Sequence, residues 1–339
     1  MMQFREDAPA EVPKGALNLA SPILGAEAIL ANDEFFGAKE RLIRDAAPVF
    51  HPDKYDDHGK WMDGWETRRR RDGGTHDFCV VRLGARGRIA LVDIDTRFFT
   101  GNFPPRATLE AALCDGRPDE STAWTEIVAS TPLSGNAHNL VAVSAEGLFN
   151  HVRLSIFPDG GVARLRVYGF PAGGWDRADT ETVHELSSAA SGGRVVGYSD
   201  AHYGNPWVIL APNRGANMGD GWETRRRRVP GNDWIVIALG GAGRIDRLEV
   251  DTAHFKGNYP DRCSVQAARC PGIADDEAVA ASQDWAEVLA PSKLQMDRVH
   301  LFEGPQVACP GPVTHVRLNI YPDGGISRFR VFGRLSAED

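Results

Sequence analysis

Along most of this chain, apolar and polar residues trade places over short stretches that stop at Gly, Pro or Asp-Thr. HDFCVVRLG and NDWIVIALG alternate or run apolar and end at Gly. RIALVDIDT, RIDRLEVDT, TLEAAL and SVQAAR alternate with period two. That period sends successive side chains to opposite faces of a strand. HVRLSIFPDGGVARLRVYG reads as two strands around PDGG, where Pro presets φ and Gly accepts positive φ. Helical periodicity is poor apart from short pieces such as TAWTEIV. About eight short strands in roughly 150 residues predict an all-β fold, an antiparallel sandwich of the jelly-roll kind.

The strand pattern is written twice. DGWETRRRR occupies Asp63–Arg71 and again Asp220–Arg228. VDIDTRFFTGNFPPR from Val92 answers LEVDTAHFKGNYPDR from Leu248. HVRLSIFPDGGVARLRVYG from His151 answers HVRLNIYPDGGISRFRVFG from His315, identical at 13 of 19 positions. The offsets are 157, 156 and 164 residues, so one domain is duplicated with small loop insertions. Upstream, EFFGAKERLI matches AHYGNPWVIL. The expected organisation is a loose tail over 1–16, a first repeat over 17–170, a polar linker over 171–188 and a second repeat over 189–334. The two copies are expected to pack with pseudo-two-fold symmetry.

Composition narrows the function. The 339 residues are 42% apolar and carry a net charge of −8, which suits a folded globular protein and excludes disorder. Acidity argues against nucleic acid and anionic membranes as partners. No stretch approaches the roughly 20 apolar residues of a membrane helix. The five cysteines are irregularly spaced and form no CxxC, so neither a disulfide framework nor a zinc-thiolate site is expected. The N-terminal residues lack the apolar run of a signal peptide, and a cytoplasmic location is expected.

Candidate chemistry lies in the repeated motifs. If DGWETRRRR is extended, Glu66, Arg68 and Arg70 share one strand face, as do Glu223, Arg225 and Arg227. A guanidinium beside Asp63 or Asp220 and a Glu can grip a small carboxylate bidentately. D-T-x-x-F-x-G-N-[FY]-P offers Asn102 and Asn258 on rim loops, with Asp95 and Asp251 at the strand ends. His138 and His300 each precede the closing hairpin, are matched as a repeated pair and are acid/base candidates; His151 and His315 start strands and read as structural. HPDKYDDH, His51–His58, has metal-ligand types but is not duplicated, and no metal site is assigned. No P-loop, HExxH, GxSxG or dinucleotide fingerprint occurs.

Taken in order, and twice over, DGWETRRRR, DTxxFxGN[FY]P and HVRLxI[FY]PDGG resemble the allantoicase (allantoate amidinohydrolase) family. The resemblance spans roughly Leu17 to Gly333 and includes the duplication. It implies two tandem jelly-roll, galactose-binding-like β-sandwich domains, a homo-oligomer, and hydrolysis of allantoate to ureidoglycolate and urea in purine breakdown. No cofactor is expected, and metal dependence is left open. Such a reaction needs a cation for the carboxylate, polar groups for the ureido arms and an acid/base for the departing urea. Glu66 or Glu223 is the expected acid/base, with His138 and His300 as further candidates. Arg68, Arg70, Arg225, Arg227, Asp63, Asp220, Asn102 and Asn258 are expected to hold substrate. A non-catalytic carbohydrate- or ligand-binding sandwich, or an enzyme releasing urea from ureidoglycolate, are the competing readings.

Overall fold

The computed structural model describes residues 9–71, 73–176, 179–308 and 311–336. The chain divides into two compact units between Ala172 and Gly173. In the first, the strands are β1 Leu17–Asn18, β2 Glu27–Ala31, β3 Tyr55–Asp56, β4 Gly59–Lys60, β5 Trp65–Glu66 and β6 Asp77–Asp95. They continue as β7 Arg106–Ala112, β8 Thr125–Pro132, β9 Leu140–Ala142, β10 Phe149–Phe157, β11 Gly161–Val162 and β12 Arg164–Pro171. In the second they are β13 Val183–Glu185, β14 Arg194–Tyr198, β15 Trp222–Glu223, β16 Asp233–Asp251 and β17 Arg262–Ala268. The chain closes through β18 Ala286–Lys293, β19 Val299–Glu303, β20 Val313–Tyr321, β21 Gly325–Ile326 and β22 Arg328–Leu335.

Each unit is an antiparallel β-sandwich of the jelly-roll kind, built on one long strand that serves both layers. In the first unit, Asp77–Arg82 of β6 pairs with β2 and β10, and β10 leads on to β7 and β8. The other half of β6, Gly87–Asp95, pairs with β9 and β12, and β12 with β1. The second unit repeats this with β16 between β14 and β20 in one half and β19 and β22 in the other. HDFCVVRLG and RIALVDIDT are therefore one continuous strand, where the sequence suggested two. The inward rows are aliphatic: Val81, Val92, Leu154 and Leu165 in one unit and Ile235, Leu248, Leu318 and Val331 in the other are fully buried. Each such side chain stabilises the fold by about 1.5–3 kcal/mol relative to an exposed one.

Two local expectations change. Thr125–Pro132, which overlaps the expected helical piece TAWTEIV, is strand, because pairing with β7 overrides a weak local periodicity. The expected linker 171–188 already contains β13 of the second unit, and Leu186 and Ser187 are fully buried. Its polar composition hid a strand held by backbone bonds to β22. Cys79, Cys114, Cys263 and Cys270 are free thiols; Cys309 and residues 1–8 of the expected tail lie outside the described residues. Among the described residues no helix is long and apolar enough to cross a membrane.

Candidate active site

The three repeated motifs meet at one carboxylate in each unit. DGWETRRRR contributes a strand of only two residues, β5 or β15. The indole of Trp65 is fully buried and donates from Nε1 to the Asp33 carbonyl at 2.9 Å, which anchors the strand. On one side Glu66 pairs through its backbone with Gly37, and on the other β5 pairs with β11, placing Gly161 opposite Glu66. Gly161 follows Gly160 of the PDGG turn, whose φ of 141° favours glycine. A Cβ on Gly161 would lie 2.0 Å from the Phe99 ring, so only glycine fits there.

Gly161 N donates to the Asn102 carbonyl at 2.7 Å and so fixes the DTxxFxGN loop. Asn102 then donates from Nδ2 to Glu66 Oε1 at 2.7 Å. The second unit reproduces the arrangement: Gly325 faces Glu223, its N donates to the Asn258 carbonyl at 2.8 Å, and Asn258 Nδ2 donates to Glu223 Oε1.

In the first unit, Glu66 and Asn102 line a cavity of about 520 Å³. Its apolar walls are Phe36, Phe50, Met62 and Phe98; Lys60, Thr100 and Asn136 supply the remaining polar groups. Phe50 and Phe98 stack with ring centroids 5.8 Å apart. Burial pushes the Glu66 carboxyl above its ordinary range; the Asn102 bond pulls it back, Asp56 adds to the rise and Arg41 opposes it. A carboxyl that holds its proton to higher pH can serve as a proton donor.

The arginine run does not share Glu66's face, because the chain leaves the strand directly after Glu66. Arg68 turns to Asp33, bonding it through the backbone N at 3.2 Å and Nε at 2.7 Å, and is 62% exposed. Arg225 binds Asp200 in the same way and is 70% exposed. Arg70 Nη1 reaches Asp77 at 2.7 Å, and Arg227 Nη1 reaches Asp233 at 2.8 Å. The backbone N of each, Arg70 and Arg227, donates to the Asp of its PDGG turn, Asp159 or Asp323. These arginines tie strand ends together, which corrects the expectation of a carboxylate clamp beside Glu66.

Asp63 and Asp220 are also frame. Asp63 is buried against fully buried Arg164 at 2.7 Å and also accepts from Val49 N. Asp220 takes Arg328 Nη2 at 3.1 Å on both oxygens and accepts from Ala216 N.

The two acid/base histidines are not counterparts. His138 Nδ1 lies 2.6 Å from Asp93, a carboxylate whose pKa burial raises. His300 sits opposite Val250, donates from Nδ1 to its carbonyl at 3.0 Å and accepts Gln295 N at Nε2. The residue that does this in the first unit is Asn139, which bonds the Ile94 carbonyl and accepts Ser134 N. His300 is thus a neutral turn brace, and burial lowers its pKa. Neither histidine lines the cavity.

His151 and His315 pack against Cys114 and Cys270, whose thiol pKa values burial raises. His58 lies in the turn of the β3–β4 hairpin against Phe35, and His51, upstream of the hairpin, lies against Trp61; both are exposed. Among the described residues no three His, Cys, Asp or Glu groups are gathered as a metal would need.

A family model described as the allantoicase repeat matches residues 17–172 and 184–336. The chain belongs to the allantoicase family. A probable allantoicase 1 of Burkholderia mallei is 54% identical over 326 residues, 96% of each chain. A probable allantoicase of Photobacterium profundum is 56% identical over 94% of this chain and 96% of its own. The crystal structure of allantoicase from Saccharomyces cerevisiae superposes with a TM-score of 0.75 at 32% identity, covering 97% of this chain and 96% of that one.

Within this allantoicase-family chain, several cavity residues had escaped the sequence reading: Phe36, Phe50, Lys60, Met62, Phe98, Thr100 and Asn136. Phe98 and Thr100 are variable positions of D-T-x-x-F-x-G-N. Their counterparts are His254 and Lys256; Phe98 and His254 share φ near 70°, and their amides donate to Asn136 and Asp297 respectively. Of the fixed letters Asn102 reaches the cavity and Phe99 packs the frame, while the variable Phe98 and Thr100 face the cavity. That contrast between copies was the available signal.

Proposed function

We propose that the protein hydrolyses allantoate to ureidoglycolate and urea at the Glu66–Asn102 cavity of the first repeat. The observation that carries this reading is a buried carboxyl, its pKa raised by burial and its orientation held by an amide, lining a cavity large enough for a small ureido acid. The allantoicase names of relatives 54–56% identical over nearly the whole chain support the substrate assignment.

In this reading Glu66 gives its proton to the departing ureido nitrogen as the C–N bond breaks. Water adds its oxygen to the same carbon, and its proton returns the carboxyl to its starting state. Asn102 holds the Glu66 carboxyl in one orientation. Asn136 and Thr100 offer donors and acceptors to the ureido groups, and the phenyl rings exclude bulk water.

The purified full-length protein incubated with allantoate should release urea while ureidoglycolate accumulates. Absence of urea, or faster release from ureidoglycolate than from allantoate, would reject the assignment.

A further inference from the structure

The cavity lining holds one cation among the described residues, Lys60. Other basic groups nearby are engaged: Arg68 with Asp33, Arg70 with Asp77, and Arg41 with the Met62 carbonyl and the Trp61 ring. Lys60 differs. Among the described residues it has no carboxylate within ion-pair distance; Nζ donates to the Pro52 carbonyl and lies 4.8 Å from the Tyr55 ring centroid and 5.2 Å from that of Phe50. An ammonium has three donors, so two are left for a ligand.

Lys60 also sits on an element that the duplication does not share. Asp63 follows Arg44, the residue that ends the upstream 3₁₀ turn, by 19 positions, whereas Asp220 follows the equivalent Ala211 by only 9. The extra stretch holds the β3–β4 hairpin, which ends at Lys60. In a molecule whose two halves share the bonds that hold the Glu–Asn pair, this hairpin brings a cation without a carboxylate partner among the described residues to the first repeat's cavity. The corresponding region of the second repeat offers Lys256, 73% exposed and 3.8 Å from Asp297.

We propose that Lys60 receives the substrate's carboxylate, so that the hairpin makes the first repeat selective for a small anion. This rests on the assignment of allantoate hydrolysis to the Glu66 cavity. With the carboxylate on Lys60, the ureido arms face Asn102, Asn136 and Glu66, and the scissile bond falls beside the proton donor.

The test compares wild type with Lys60→Met, Lys60→Arg and Lys256→Met in the full chain. Urea release is followed against the concentration of allantoate and of its neutral carboxamide analogue. Lys60→Met should raise KM for allantoate about 10–100-fold with a much smaller change in kcat, the range expected for a charge-assisted hydrogen bond. It should also shrink the preference for the acid over the carboxamide by a similar factor. Lys60→Arg keeps the charge and should recover much of the loss; Lys256→Met should behave as wild type. An active wild type whose KM and acid preference are unmoved by Lys60→Met overturns the Lys60 proposal and leaves the Glu66 assignment standing. A wild type that releases no urea overturns the assignment itself. Equal losses in Lys60→Met and Lys256→Met would also overturn the proposal, since they would place the anchor in both repeats.

Discussion

Around their Glu–Asn pairs the two repeats share a frame and differ in what surrounds it. Trp65 and Trp222 donate to Asp33 and Asp200, Gly161 and Gly325 fix the Asn loops, and Arg164 and Arg328 bury themselves on Asp63 and Asp220. Facing the carboxylate, the first repeat places Phe98, Thr100, Asn136 and the Lys60 hairpin. At the matching positions the second places His254, which bonds the Gly215 carbonyl, with Lys256 and Asp297. Duplication has kept the residues that build the fold and varied most of those that line the first repeat's cavity. Identity between copies therefore marks scaffold more reliably than chemistry, and Glu66 and Asn102 belong to both classes.

The sharpest way to break this comparison is to remove each carboxylate in turn. Glu66→Gln should cut kcat by about 10²–10⁴-fold, the usual contribution of a positioned acid/base, while Glu223→Gln should stay within about tenfold of wild type. Comparable losses would mean two working sites. Next in size is the shared frame. Asp63→Ala and Asp220→Ala should each destabilise by about 3–5 kcal/mol in denaturant unfolding, because each strands a buried guanidinium. If Asp63→Ala unfolded like wild type and only raised KM, its place in the frame would be wrong.

A smaller effect sharpens the role of Asn102. Its hydrogen bond favours the ionised form of Glu66, so Asn102→Ala should lower kcat/KM about tenfold and move the Glu66 limb of the pH–rate profile to higher pH. Unfolding measured against pH gives an independent check. Because burial raises the Glu66 pKa in the folded chain, ionising it costs stability as pH rises above its ordinary value of 4.5 and through its folded value. Glu66→Gln should therefore be more stable than wild type at neutral pH, and the gain should vanish as pH falls below 4.5. The smallest effect is expected at Arg68. Arg68→Ala removes an exposed ion pair and should cost no more than about 1 kcal/mol, with KM unchanged.

Much of the fold could be read from the chain because strands with one buried face write a period of two, and because the motifs recur in order. The merging of two runs into β6 was hidden, since Gly84 and Gly87 read as stops but lie within the strand. At the site, Glu66 and Asn102 stood out as repeated polar residues beside glycines. The partnership of Glu66 with Arg68 and Arg70 did not hold, because period-two reasoning extended a strand that ends at Glu66. Matching His138 with His300 failed for a related reason: spacing cannot tell that His300 performs the task of Asn139 in bracing a turn. Lys60 stayed invisible because attention to repeated residues discards an insertion by construction.

The most direct measurement is where the substrate sits. A crystal of the Glu66→Gln variant, soaked with allantoate, should show the ligand in the first-repeat cavity with its ureido groups on Asn102 and Asn136 and its carboxylate on Lys60. Allantoate bound instead along Arg68–Arg71, or only beside Glu223 and Asn258, would contradict the assignment of catalysis to the first repeat.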